Sequence, residues 1–176
     1  MARDKHWIWI FKPVSSCQGK GIFLMSAYNC TNFSDIYAKN NIPKGNLIAS
    51  HYISNPLILE NLPLTKDIGH VKSVKFDLWI YVAITSVYPL WMYVYDEGLV
   101  RFATIKYEML DVVDFSKSKF MHLTNYAVNK GRSDEVKWKL SYLWELLENV
   151  IDLSLLKTWI DDILIKTIIS IEEQMK

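Results

Sequence analysis

Apolar side chains fall at every second position in "VKFDLWIYVAITS", residues 74–86. Phe76, Leu78, Ile80, Val82 and Ile84 alternate with Asp77, Trp79, Tyr81, Ala83 and Thr85. A period of two predicts a strand with one set on each face, and the wholly apolar face is expected to be core. Tyr88-Pro89 predicts a turn. "LWMYVY" and "LVRFATIKY" then read as further strands, joined by a second turn at Asp96-Glu97-Gly98. Upstream, Trp7 to Phe11 is a run of strand formers, and Gly21 to Met25 reads as its partner across a connection at residues 13–20. Leu47 to Ile53 predicts another strand. Asn29 to Gly45 is polar and broken by Pro43, which suits a helix turn or loop, and residues 60–73 read as an exposed loop.

The period changes in the last third. Val136, Leu140, Leu143, Trp144 and Leu147 stand at helical spacing, as do Leu156, Ile160, Ile163, Leu164 and Thr167. Asp152 or Ser154 is placed to cap the second of these helices. An antiparallel sheet followed by packed helices is an α+β pattern, expected as one domain over residues 1–176.

Composition narrows the field. About half of the chain is hydrophobic, with seven Trp and ten Tyr, enough for a substantial core. The net charge of +1 supplies no broad basic field, so nucleic acid is not an expected partner. Cys17 and Cys30 form neither a disulfide framework nor a metal cluster by spacing, as in a reduced intracellular chain. No stretch is long and uncharged enough for a membrane span, and the short apolar run near the N-terminus does not suit a signal peptide. A cytoplasmic protein without membrane attachment is expected.

Three stretches carry chemistry. In "FKPVSSCQGKGIFLM", residues 11–25, Lys12 sits at a strand end, and Gly19 and Gly21 flank Lys20. Such a loop either closes over phosphate oxygens through its backbone N–H groups or is a plain hairpin with a solvated lysine. It runs strand to strand, unlike the P-loop, which enters a helix. Lys75, Asp77 and Trp79 project from one face of their strand, and Arg101 lies on a neighbouring one. The charged pair is either solvated surface or the wall of a cleft. In "MHLTN", residues 121–125, His122, Thr124 and Asn125 suit the orientation of phosphate or carboxylate oxygens. A lone histidine is more often structural than catalytic, so acid–base support by His122 is the minor reading. No metal-ligand spacing and no nucleophile elbow is present.

In order along the chain, these stretches resemble the tubulin–tyrosine ligase-like family, which adds amino acids to tubulin on an ATP-grasp fold. "KPVSSCQGKGI" is similar to its Lys-Pro…Gln/Arg-Gly-Arg-Gly-Ile loop and "SHYISNPLIL" to its hinge. "KFDLWIYVAITS", "YDEGLVRFATIKY", "FMHLTNYAVNK", "KWKLSYLWELLE" and "IDDILIKTIISIE" resemble successive family blocks. The spelling is nearer the polyglutamylase branch than the tyrosine ligase itself. The resemblance implies a partial ATP-grasp domain that uses ATP and Mg²⁺, free glutamate, and the acidic C-terminal tails of tubulin or microtubules. It implies a cytoskeletal setting, with the cilium or basal body included.

Residue by residue, it implies a nucleotide site of Lys12, Gln18, Gly19, Lys20 and Gly21 in the loop, Ser50, His51, Tyr52 and Ile53 in the hinge, then Lys75, Asp77, Thr124 and Asn125. Arg101, Tyr126 and Lys137 match positions around the incoming glutamate. The chemistry implied is phosphorylation of an acceptor carboxylate, followed by attack of the glutamate amine on the acylphosphate.

The resemblance has departures. Trp79 stands where the family has arginine, and loss of that charge would remove about 3 kcal/mol or more of transition-state stabilisation. Trp91 replaces another frequent arginine, and residues 61–73 make a longer connection than usual. The family's Mg²⁺ carboxylates and its N-terminal part lie outside residues 1–176, so an incomplete ligase domain is expected, with no metal ligand of its own. The rival reading is a non-catalytic nucleotide- or microtubule-binding module.

Overall fold

The computed structural model of the chain describes residues 8–26, 46–64, 67–108, 115–131 and 137–175. Asn29–Gly45, Cys30 and Val136 lie outside them. The chain divides into two units. The first comprises Met1–Asn61, Ile68–Phe76 and Phe102–Val136; the second comprises Leu62–Asp67, Asp77–Arg101 and Lys137–Lys176.

In the first unit, β1 (Ile8–Pro13) lies between β2 (Phe23–Ser26) and β3 (Leu47–His51), antiparallel to both. The hairpin expected from residues 7–25 is therefore present, in the register Trp9↔Met25 and Phe11↔Phe23. Its strands do not share the clean alternation seen elsewhere. All four residues of β2 are buried, and the core gathers Ile8, Phe23, Leu24, Met25, Tyr52 and Leu123. The rings of Phe11 and Phe23 stack at 4.9 Å across the pair. Helix α1 (Phe115–His122) lies against β2, and the short α2 (Tyr126–Asn129) follows it.

The stretch expected as an exposed loop is partly anchored. It ends in a 3-10 turn, Gly69–Ser73, that buries Val71, and begins in another, Leu59–Asn61, whose buried Leu59 lies just before the stretch. Val71 showed no period, because a single apolar anchor in a polar stretch makes none.

Two long strands, β4 (Val74–Val87) and β5 (Leu90–Lys106), run through both units and turn at Tyr88-Pro89, where the peptide bond is cis. The short β6 (Lys137–Lys139) pairs antiparallel with β5, so the second sheet has the order β4-β5-β6. The turn expected at Asp96-Glu97-Gly98 is not there; β5 passes straight through it. Gly98 serves a different purpose: a Cβ there would come 2.5 Å from the main-chain oxygen of Trp79. Only glycine lets the two backbones approach so closely.

The alternation of β4 is real but its apolar face is incompletely covered. Ile80 and Val82 are half-buried, whereas Trp79 and Tyr81 are exposed. In the second unit that face meets helices α3 (Leu140–Leu147) and α4 (Leu153–Met175) across a cavity of about 390 Å³. Ile80, Val94, Trp144 and Ile160 line it. The face is therefore boundary rather than closed core.

Helix α3 starts later than its spacing predicts, since Lys137–Lys139 is strand. Leu140, Leu143 and Leu147 turn inward as expected. Asp152 caps α4, its carboxylate accepting the Leu155 N–H at 2.9 Å. Leu156, Ile160 and Leu164 form the half-buried stripe of α4, while Ile163 is exposed.

Helix α3 takes its cap from another element. Glu97 of β5 accepts the Ser141 N–H at 3.0 Å and the Ser141 hydroxyl at 2.7 Å, and also the Gly98 N–H. These bonds hold the Glu97 carboxyl down at about 2. Glu97→Ala is expected to loosen the first turn of α3, read as faster amide hydrogen exchange at Ser141 with α4 unchanged.

Candidate functional site

The glycine loop bends through left-handed backbone at Gln18, Gly19 and Gly21, with φ of 60°, 76° and 72°. It is braced internally: the Lys20 N–H donates to the Cys17 carbonyl, and the Ser16 hydroxyl to the Lys20 carbonyl. Its tip is pressed against "HLTN". A Cβ on Gly19 would meet Val128 Cγ2 at 2.9 Å and Asn125 Oδ1 at 3.3 Å. Lys12, Gln18 and Lys20 are exposed, so the loop offers cations and left-handed turns on one side of a packed sheet.

The hinge residues divide by role. Ser50 and His51 stay in β3, opposite Ile10 and Trp9 of β1, and the rings of His51 and Trp9 meet edge to face. Tyr52 turns into the core, its N–H donating to the Ile8 carbonyl at 2.8 Å, and Ile53 points outward. The family resemblance implied Tyr52 as one of four hinge residues. Its side chain instead joins a buried cluster: the hydroxyl lies 2.9 Å from His122 Nδ1 and accepts a hydrogen bond from Lys75 Nζ at 3.2 Å.

Burial is the main force on these groups. It raises the Tyr52 phenol well above the ordinary range, with help from nearby Tyr107. It also pushes the His122 imidazole down to about 4, an effect reinforced by the Lys75 charge. His122 is neutral at neutral pH, which suits a hydrogen-bonding part rather than proton transfer.

Thr124 is buried and Asn125 half-buried at the entry of α2. Asn129, which the sequence gave no reason to single out, fixes this stretch. Its amide donates to the carbonyls of Leu123 and Asn125 and accepts from the Thr104 hydroxyl.

The second unit holds another group. Arg101 meets both oxygens of Asp77, with Nε at 2.9 Å from Oδ1. Its guanidinium lies 4.5 Å from the centre of the Trp79 ring. Hydrogen bonding to Asp77 raises the Arg101 pKa further and secures its charge. Lys137 of β6 stands opposite Arg101 in the register. Tyr126, expected with these two, belongs to the first unit and is exposed. The Trp79 ring thus offers a face to the neighbouring cation.

The donors of the first unit suit a polyphosphate: exposed lysines, a left-handed loop, and Lys75 with a fixed hydroxyl partner. Magnesium is a poorer fit. Among the described residues no group of three or more His, Cys, Asp and Glu side chains is placed to hold a metal ion, and the Asp77 carboxylate is taken by Arg101. Among the described residues, too, no helix is long and apolar enough to cross a membrane.

Two antiparallel sheets with helices, and a glycine loop seated on the polar "HLTN" block, make an α+β chain. The sequence model of the tubulin-tyrosine ligase family matches residues 1–176, and the chain belongs to that family. It is 35% identical to tubulin polyglutamylase TTLL5 of Homo sapiens, over 93% of this chain and 12% of the human protein. It is 37% identical to tubulin polyglutamylase ttll6 of Danio rerio, over 98% of this chain and 20% of that protein. It is also 37% identical to the probable tubulin polyglutamylase TTLL2 of Homo sapiens, over 94% and 24%. The chain therefore spans no more than about a quarter of the length of these relatives.

Proposed function

We propose that the chain is the nucleotide-binding part of an ATP-grasp ligase of the tubulin polyglutamylase type, working in the cytoplasm on microtubules. The observation that carries this reading is the tip of the glycine loop. Gly19 rests on Asn125 and Val128, which joins two stretches far apart in sequence, both suited to phosphate. The names of the relatives supply the substrate class: tubulin.

Bound ATP would supply the phosphoryl group that activates an acceptor glutamate side chain as an acylphosphate, ready for attack by the amine of free glutamate. The chain's own residues bind and orient. Lys12 and Lys20 draw the phosphates toward the loop, and Lys75 holds a fixed positive charge for them. Backbone groups of Ser50 to Ile53 frame the adenine. Arg101, aligned by Asp77, offers a guanidinium to the carboxylates of the incoming amino acid, with Lys137 beside it in the register.

A second reading is favoured by one observation: the Arg101 guanidinium lies over the ring of Trp79, where the resemblance implies an arginine. A binding module without ligase activity would tolerate that exchange. Titration of the chain with ATP tests the first part of the proposal. Saturable binding is expected, weakened about tenfold or more by Lys75→Ala; no binding by the parent chain sinks it. Trp79→Arg, placed in a chain extended by a relative's downstream segment, separates the readings. A gain in ATP-dependent glutamate incorporation into tubulin marks a ligase. No gain, with microtubule binding retained, marks a module.

A further inference from the structure

The first unit contains a buried polar cluster that the proposed chemistry leaves unused. Tyr52 is 4% exposed and His122 7%. Their rings meet edge to face at 5.5 Å, with the phenol oxygen 2.9 Å from Nδ1. Tyr107 also meets His122 edge to face, with ring centres 6.0 Å apart, and its hydroxyl donates to the Ser54 carbonyl at 2.6 Å. Lys75 meets this assembly at two points: Nζ donates to the Tyr52 hydroxyl at 3.2 Å and lies 4.6 Å from the centre of the Tyr52 ring.

A lysine on a strand is ordinarily a point charge on a flexible stem of four carbons. Here one N–H of the ammonium goes to a hydroxyl that is itself held by a buried imidazole, while the ring face fixes the line of approach. The stem thereby loses much of its freedom before any ligand arrives, and a pre-set charge binds at lower entropic cost than a swinging one. The same assembly reaches the residue after the hinge through the Ser54 carbonyl, so the hinge and Lys75 are tied to one hydrogen-bonded frame.

We infer that Tyr52 and His122 are positioning residues that aim the Lys75 ammonium at the nucleotide phosphates. The inference rests on the nucleotide-binding reading of this unit and adds a division of labour to it: Lys75 touches the phosphates, Tyr52 directs Lys75, and His122 holds Tyr52. Neither ring is asked to move a proton.

The test uses the full chain and the variants Tyr52→Phe, His122→Leu and His122→Asn, each checked for a parent-like melting curve. Affinities for ATP and for adenosine are measured side by side. Tyr52→Phe keeps the ring but removes the hydroxyl. It is expected to lower the ratio of ATP to adenosine affinity about tenfold. His122→Leu should fall in the same direction, and His122→Asn, which restores a hydrogen-bonding atom near the Nδ1 position, should recover most of the loss. A second readout needs no nucleotide: the ¹⁵Nζ signal of Lys75, assigned by its disappearance in Lys75→Arg. It should be sharp in the parent and broadened by fast solvent exchange in Tyr52→Phe and His122→Leu. Equal losses for ATP and adenosine, or an unchanged Lys75 signal in a folded variant, would overturn the inference. If the parent binds no ATP, the proposed function falls, and the Lys75 signal alone decides whether the cluster directs the ammonium.

Discussion

Gly98→Ala is expected to destabilise the chain by about 3 kcal/mol, at the upper end of what one added methyl does in a packed interior. The added Cβ would lie 2.5 Å from the Trp79 carbonyl oxygen and 3.1 Å from the Leu140 side chain. The first of these is backbone and has no rotamer into which to retreat. Relief requires β4 and β5 to separate, which disturbs the pair that carries Asp77, Trp79 and Arg101, and also the adjacent Glu97 cap. Urea unfolding followed by tryptophan fluorescence gives the measurement. The midpoint should move to lower urea than the parent's. An unfolding curve superimposable on the parent's would show that β4 and β5 do not approach so closely in solution.

Acid is expected to remove up to about 3 kcal/mol of stability between pH 6.5 and 4 through His122 alone. The sign follows from burial. The imidazole is held neutral in the fold, at about 4, against an ordinary value of 6.5. Below 6.5 the unfolded chain takes up a proton that the folded chain refuses. The contribution is therefore fully present above 6.5, declines as the pH falls, and is gone once the folded form also protonates near 4. Glu97 acts in a lower window: its carboxyl, depressed from 4.5 to about 2, contributes above 4.5 and is lost as the pH falls through 2. Urea midpoints taken from pH 7.5 to 3.5 on the parent and on His122→Asn separate the two. The variant should flatten the upper window and keep the lower; identical slopes above pH 4.5 would refute the account.

The elements that could be read from the sequence are those whose cause is local. The alternation of residues 74–86, the hairpin around Gly19 and Gly21, and the Asp152 cap each depend on residues a few places apart, and each is present. The misreading at Asp96-Glu97-Gly98 has the opposite origin. Those residues favour a turn, but the glycine answers to the Trp79 backbone on the neighbouring strand, which no local window contains. The phosphate-suited stretches were legible as types: a glycine loop, a lysine two places from an aspartate, a polar "HLTN" block. Their joining was not. Tyr52 is tied to Lys75 and His122, 23 and 70 residues away, and from spacing alone it was only one more hinge residue. Trp79 was legible as a lost charge, but its contact with Arg101 emerged only from the pairing of β4 with β5.

The cap on α3 has a consequence for the order in which the chain is assembled. The helix is eight residues long, too short to persist alone, and Lys139 at its start contributes no side-chain cap. Its starting signal is Glu97, 44 residues earlier on another element. That loop must close before the helix gains the bonds that hold its first turn. A ribosome-bound chain that has emerged only as far as β5 thus carries a carboxylate waiting for its helix, and residues 140–147 become a helix only after the strand behind them is in place.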